Sequence, residues 1–139
     1  MLADPHKTSG PAVEPQRPML SVENLSTHFF SRDGVMKAVD DVSYQIAPGQ
    51  TLAVAGESGS GKSVTALSVM GLLPKPAGRV VGGRILLDGR DLVPLSEGEM
   101  QHLRGNEVAM IFQEPMTSLN PVLTIGDQIA QVLIRHRGL

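Results

Sequence analysis

Gly56-Glu57-Ser58-Gly59-Ser60-Gly61-Lys62-Ser63 fits the spacing G-x-x-x-x-G-K-[ST] of a phosphate-binding loop. Its surroundings fit as well. The apolar run Thr51-Leu52-Ala53-Val54-Ala55 before it reads as a buried parallel strand. Ser63 to Leu73 after it has apolar residues at helical spacing and meets Pro74 as a stop. Strand, glycine loop and helix, in that order, is the arrangement the motif needs, and it predicts an α/β fold.

Each position has a physical reason. Gly56 lets the chain leave the strand sharply, and Gly59 and Gly61 lack the Cβ that would keep backbone N–H groups from closing on phosphate oxygens. Those amides open a helix, where unpaired donors and the dipole favour an anion. Lys62 adds a full charge toward the β- and γ-phosphates, and the Ser63 hydroxyl is placed to ligate Mg²⁺. Glu57, Ser58 and Ser60 contribute backbone more than side chain.

Composition narrows the function. The 139 residues predict one domain, and the 41% apolar content supports a core. Phe29, Phe30, Tyr44 and Phe112 are the only aromatics, too few for base-stacking platforms. A net charge of −2 without a basic stripe argues against nucleic-acid binding. The absence of cysteine excludes a disulfide framework and a cysteine zinc site. No stretch approaches the roughly 20 apolar residues of a membrane span. Work at a membrane would therefore depend on a partner rather than on direct insertion. The start of the chain has no long apolar segment of a secretory signal.

Residues 1–18 carry four prolines among polar residues and read as a disordered leader. Met19 to Leu25 alternates as a half-buried strand. Ser31-Arg32-Asp33-Gly34 reads as a hairpin turn, and Val35 to Ile46 alternates again with a slip at Asp40-Asp41 that predicts a bulge. Gly83 to Leu92 reads as strand, tight turn, short strand. Ser96 and Glu99 form a capping-box pattern for a helix running to Gly105. Glu107 to Phe112 reads as a second buried strand, and Thr124 caps a last helix from Ile125 to about His136.

With these residues in hand, 19–139 resembles the nucleotide-binding domain of ABC transporters. Leu20-Ser21-Val22-Glu23-Asn24-Leu25-Ser26, Ala38-Val39-Asp40-Asp41-Val42-Ser43 and Pro48-Gly49-Gln50-Thr51 carry the likeness, with the glycine loop. Met70-Gly71-Leu72-Leu73 and Met110-Ile111-Phe112-Gln113-Glu114-Pro115-Met116-Thr117-Ser118-Leu119-Asn120-Pro121 are similar to the di- and oligopeptide importer branch, which also includes glutathione and nickel uptake. The resemblance implies a P-loop NTPase (RecA-like) core with an antiparallel β-subdomain. It implies a β-subdomain and core over 19–115 and the start of a helical subdomain over 116–139. The implied ligands are ATP and Mg²⁺. The implied partners are a second nucleotide-binding domain and transmembrane permease subunits, met by the region after Gln113, at the cytoplasmic face of the membrane.

Residue roles follow from the same resemblance. Phe29 stands where the family stacks an aromatic on adenine; the residue-level alternative is a core or hairpin phenylalanine, with Phe30 adjacent. Gln113 stands at the Q-loop, touching Mg²⁺ and the attacking water, or else is an ordinary polar strand end. Val64 replaces the Ser or Thr that contacts the α-phosphate in many relatives, so the nucleotide-binding set is Phe29 and Gly56 through Val64.

Two look-alikes are set aside. Leu95-Ser96-Glu97-Gly98-Glu99 resembles a degraded ABC signature but lies before the Q-loop and reads as a helix cap. Arg84-Ile85-Leu86-Leu87-Asp88 resembles a Walker B strand, but Gly89 follows where a catalytic glutamate is needed, so Asp88-Gly89 reads as a turn. His28, His102 and His136 have no metal-ligand spacing and read as surface histidines. The family's signature, Walker B, catalytic glutamate and switch histidine have no match here, so no catalytic residue is assigned. The expectation is the N-terminal part of a longer ATPase, able to bind ATP and not to hydrolyse it alone. The alternative is a non-enzymatic regulatory or decoy ATP-binding module that docks on a transporter.

Overall fold

A computed structural model describes residues 17–114 and 118–138. Most of the expected leader, together with Pro115, Met116 and Thr117 of the importer-like stretch, lies outside the described residues. Strands β1 (Leu20–Ser31), β2 (Gly34–Ile46), β3 (Gly78–Leu87) and β4 (Arg90–Asp91) form one antiparallel sheet in the order β2-β1-β3-β4. Helices α1 (Lys62–Met70) and α2 (Glu97–Leu103) pack on it, and α3 (Ile125–Arg137) follows.

Turn chemistry sets the sheet. The β1–β2 hairpin closes with Ser31 paired to Gly34, as the Asp33-Gly34 signal predicts. Asp88 and Gly89 both take positive φ, 47° and 83°, the geometry of the two-residue turn between β3 and β4. The bulge at Asp40-Asp41 is present. Asp41 has φ 53°, its N–H donates to Ser26 Oγ at 3.1 Å, and the register shifts between Leu25 and Thr27. Asn24 matches it across the strand with φ 49°, and its side-chain Nδ2 donates a hydrogen bond to Asp41 Oδ1 at 2.8 Å.

The core lies between the sheet and the first two helices. Val22, Leu25, Val39 and Ile85 from the strands meet Val69 of α1 and Met100 and Leu103 of α2. Burying each of these large aliphatic side chains contributes about 2 kcal/mol. One buried polar contact crosses the same layer: Thr27 Oγ1 and Ser68 Oγ are 2.8 Å apart.

Helix ends follow local rules. Ser96 and Glu99 make both bonds of the capping box, so this segment is a cap and not a signature. Helix α2 stops at Leu103, two residues before the expected Gly105. Thr124 caps α3 by accepting from Asp127 N–H at 3.1 Å. Helix α1 begins at Lys62 and ends at Met70, short of the expected Leu73. Gly71 takes a left-handed conformation, and Leu72 N–H reaches back to Leu67 O at 2.9 Å, a Schellman closure that outcompetes further helix.

Two expectations fail. Residues 51–55 do not form a strand; Leu52 is 43% exposed and Val54 58%. Glu107–Phe112 forms only a single bridge, Arg104 with Val108, and Ile111 is 98% exposed. A buried parallel strand takes its hydrogen bonds from neighbours far away in sequence. Among the described residues no strand lies beside either run, so apolar composition alone does not order them.

His28 also departs from its reading as a surface residue. Its Nε2 is buried and has no hydrogen-bond partner among the described residues, and its ring lies 6.3 Å from that of Phe30. Arg79 from β3 stacks over Phe30 at 4.1 Å.

Candidate functional site

The glycine loop is held by the edge of the sheet. Ala38 falls at a register shift of β2, between Val39, paired with Thr27, and Lys37, paired with His28. Its carbonyl lies where Gly61 passes: a Cβ on Gly61 would sit 2.6 Å from Ala38 O, and Gly61 has φ +91°. Both the space and the dihedral demand glycine there. Gly59, at φ +80°, meets nothing within 4 Å and so needs glycine for its dihedral alone.

Gly61 is the N-cap of α1 and offers no side-chain bond. Thr65 N–H closes the first helical turn on Gly61 O at 2.8 Å. The amides of Lys62, Ser63 and Val64 precede that bond and therefore have no acceptor within the helix. They open into a groove of about 680 Å³ lined by Met36, Lys37 and Ala38 on β2, by Ser58 through Val64, and by Gln113.

Lys62 is drawn against the loop. Its ammonium donates to Gly56 O and Glu57 O, both at 2.6 Å, and to Ser60 Oγ at 3.2 Å. Ser60 N–H also bonds Glu57 O at 3.2 Å. Gly56 and Glu57 thus stand behind the groove as carbonyl acceptors. A Cβ on Gly56 would meet Ser60 Oγ at 2.6 Å.

The structure brings Gln113 to the glycine loop although 49 residues separate it from Val64 in sequence numbering (113 − 64). It does not bring Phe29 into the groove lining. That ring lies over Gly78, where an added Cβ would come within 2.7 Å of Cε1. Phe29 reaches the groove only through its cross-strand partner Met36. Residues 36–38 were not legible as site residues, because no local pattern in β2 announces which loop will pack against its edge.

Helix α1 is fixed at its other end as well. Arg104 donates from Nε to Met70 O at 2.8 Å and from Nη2 to Gly71 O at 2.9 Å, and it pairs with Glu97. One guanidinium satisfies carbonyls that the helix end leaves open.

Comparison with known proteins agrees with this geometry. The ABC transporter family profile matches residues 39–137. The chain is 53% identical over 121 residues to the oligopeptide transport ATP-binding protein AppD of Bacillus subtilis (strain 168), covering 87% of this chain and 37% of the relative. It is 50% identical over 121 residues to the dipeptide transport ATP-binding protein DppD of the same organism, covering 87% of this chain and 36% of that protein. The chain therefore spans a little over a third of the length of these relatives. The dimeric structure of MJ0796, a bacterial ABC transporter cassette, superposes with a TM-score of 0.73 at 24% identity, over 87% of this chain and half of that one. That likeness shows the fold, a P-loop NTPase core with an antiparallel β-subdomain. With its glycine loop seated on the sheet edge and its sequence matched over residues 39–137, this chain belongs to the ABC transporter family.

Proposed function

We propose that this chain carries the nucleotide-binding part of an ATP-binding subunit for peptide import, and that the groove holds the triphosphate of Mg-ATP. The observation behind this reading is the set of amides at Lys62, Ser63 and Val64 opening into a groove beside the Lys62 ammonium. An anion there gains hydrogen bonds, the helix dipole and a full charge together. Binding would draw the Lys62 ammonium from Gly56 O and Glu57 O to phosphate oxygens.

Mg²⁺ fits the donors present. Ser63 Oγ and the Gln113 amide oxygen are hard oxygen ligands of the kind this ion takes alongside phosphates. Among the described residues no group of three or more His, Asp or Glu could hold a metal alone. The ion would accordingly enter with the nucleotide. Its chemistry there is to neutralise charge on the phosphates.

The adenine end of the groove lies at Met36, which is 61% exposed and faces Phe29 across the strand pair. The Phe29 ring that would stack on adenine rests against Gly78 beside this end of the groove. Among the described residues that line the groove there is no carboxylate to act as a base. We therefore expect this chain to bind Mg-ATP without turning it over. We propose also that the whole protein serves peptide uptake with a second nucleotide-binding domain and with permease subunits at the cytoplasmic membrane face; the relatives' names support the first of these and the dimeric cassette the second. Among the described residues no helix is long and apolar enough to cross a membrane, consistent with attachment through such partners.

Calorimetric titration with Mg-ATP, beside phosphate release, tests this reading. Saturable binding that Lys62→Ala abolishes, with no steady-state release, is the expected result. Binding unaffected by Lys62→Ala would overturn the site, and Lys62-dependent turnover would overturn the absence of hydrolysis.

A further inference from the structure

A separate cleft lies at the end of helix α1 away from the glycine loop. It holds about 220 Å³ between the end of that helix, strand β3 and the start of helix α2. Its walls are apolar: Val69, Leu73, Leu92 and Met100 line it, and each is less than 10% exposed. None of its lining residues borders the nucleotide groove.

Two cations and one carboxylate border the cleft: Lys75, Arg79 and Glu97. Glu97 is held by Arg104, whose guanidinium also takes the Met70 and Gly71 carbonyls. The negative charge and the acceptors at this helix end are thus already matched to a cation. The Arg79 guanidinium lies over the Phe30 ring at 4.1 Å. Lys75 is exposed and has no ion-pair partner among the described residues. The Arg104 hydrogen bond first, and the Lys75 charge to a lesser degree, lower the pKa of Glu97. The Lys75 ammonium therefore stands within electrostatic reach of this rim.

An apolar cavity of about 150 Å³ takes benzene, so this cleft has room for a chain of about six to eight carbons. Apolar walls with one unpaired ammonium at the rim suit a ligand with an apolar body and a single anionic end. We propose that the cleft binds a small amphipathic carboxylate, its chain against Val69, Leu73 and Met100 and its head group at Lys75. The nucleotide site plays no part in this assignment.

The test is a methyl-resolved NMR titration of the full chain with hexanoate, 1-hexanol and acetate, in the parent and in Lys75→Gln. Lys75 is exposed, so the urea midpoint of the variant should match the parent and certify folding. Hexanoate should give saturable shifts at the Val69, Leu73 and Met100 methyls while the Gly59 and Gly61 amides stay unmoved. Acetate, which lacks the chain, should leave those methyls in place. Lys75→Gln should weaken hexanoate by about three- to fivefold, the size of an exposed charge pair, and leave hexanol within about 1.5-fold. Methyl signals that hexanoate does not shift saturably overturn the site. Acetate moving the same methyls, or Lys75→Gln leaving hexanoate unchanged or weakening hexanol equally, overturns the amphipathic carboxylate as its ligand.

Discussion

Thr27 donates its hydroxyl hydrogen to Ser68 across the buried layer between sheet and helix α1. The direction follows from Ser68, whose single hydroxyl hydrogen goes to Val64 O at 2.7 Å. The pair at 2.8 Å thus ties the sheet to the helix that begins at Lys62. Removing the acceptor should cost more than removing the donor. Ser68→Ala strands a buried Thr27 hydroxyl and should lower stability by about 1–3 kcal/mol, whereas Thr27→Val should cost about 1 kcal/mol. The double variant should be less destabilised than the sum. Urea unfolding in a double-mutant cycle measures this coupling, and strict additivity would contradict it.

Gly61 and Gly59 both need positive φ, but only Gly61 also lacks room. Gly59→Ala should cost about 1–2 kcal/mol, the dihedral penalty alone. Gly61→Ala must also push the Ala38 carbonyl away from a 2.6 Å approach, so it should be more destabilising and should disturb nucleotide binding. Equal losses in thermal unfolding would show that the β2 edge does not constrain the loop.

Arg104 holds the far end of α1 by two carbonyls that no other geometry in the sequence suggests. Its planar fork reaches both, which a lysine ammonium cannot do in the same arrangement. Arg104→Lys should therefore lower stability by about 1–3 kcal/mol. A neutral result in denaturant titration would mean water satisfies Met70 O and Gly71 O equally well.

Acid should weaken the fold through two exposed carboxylates. The Arg104 hydrogen bond lowers the pKa of Glu97, and the Ser96 backbone N–H lowers that of Glu99. With depressed folded values, the unfolded chain binds more protons in mild acid, so the stabilisation present above the ordinary glutamate value is lost as pH falls through the folded values. Solvent screens both groups, which keeps the effect small. Urea midpoints should be level down to about pH 5 and decline below it. The decline should be shallower in the Glu97→Gln, Glu99→Gln pair. An identical slope in that variant would assign acid sensitivity to other groups.

The chain's legible parts are those decided within a few residues. The capping box at Ser96 and Glu99, the cap at Thr124 and the Asp88-Gly89 turn are each decided by near neighbours, and each is in place; the bulge at Asp41 shows in the sequence as a slip in alternation, although its bonds to Ser26 and Asn24 cross the strand pair. The runs at 51–55 and 107–112 do not form strands, because an apolar string states a need for burial without naming the strand that supplies it. The groove shows the same division. Its floor is a contiguous motif, while Lys37 and Ala38 arrive through sheet register, and Phe29 is claimed by the space over Gly78.

That contrast has a stability consequence. Ile111→Ser should change stability by no more than about 0.5 kcal/mol, since the side chain is 98% exposed. Leu25→Ala, at a fully buried position, should cost about 2–5 kcal/mol. Comparable losses in chemical denaturation would restore residues 107–112 as a buried strand.

The most direct measurement is an amide-resolved NMR titration of the folded chain with Mg-ATP. Binding in the groove predicts saturable shifts at Gly59, Gly61, Lys62 and Ser63, with smaller ones at Lys37 and Gln113, all absent in Lys62→Ala. Unmoved signals across residues 56–63 at saturating Mg-ATP would contradict the account.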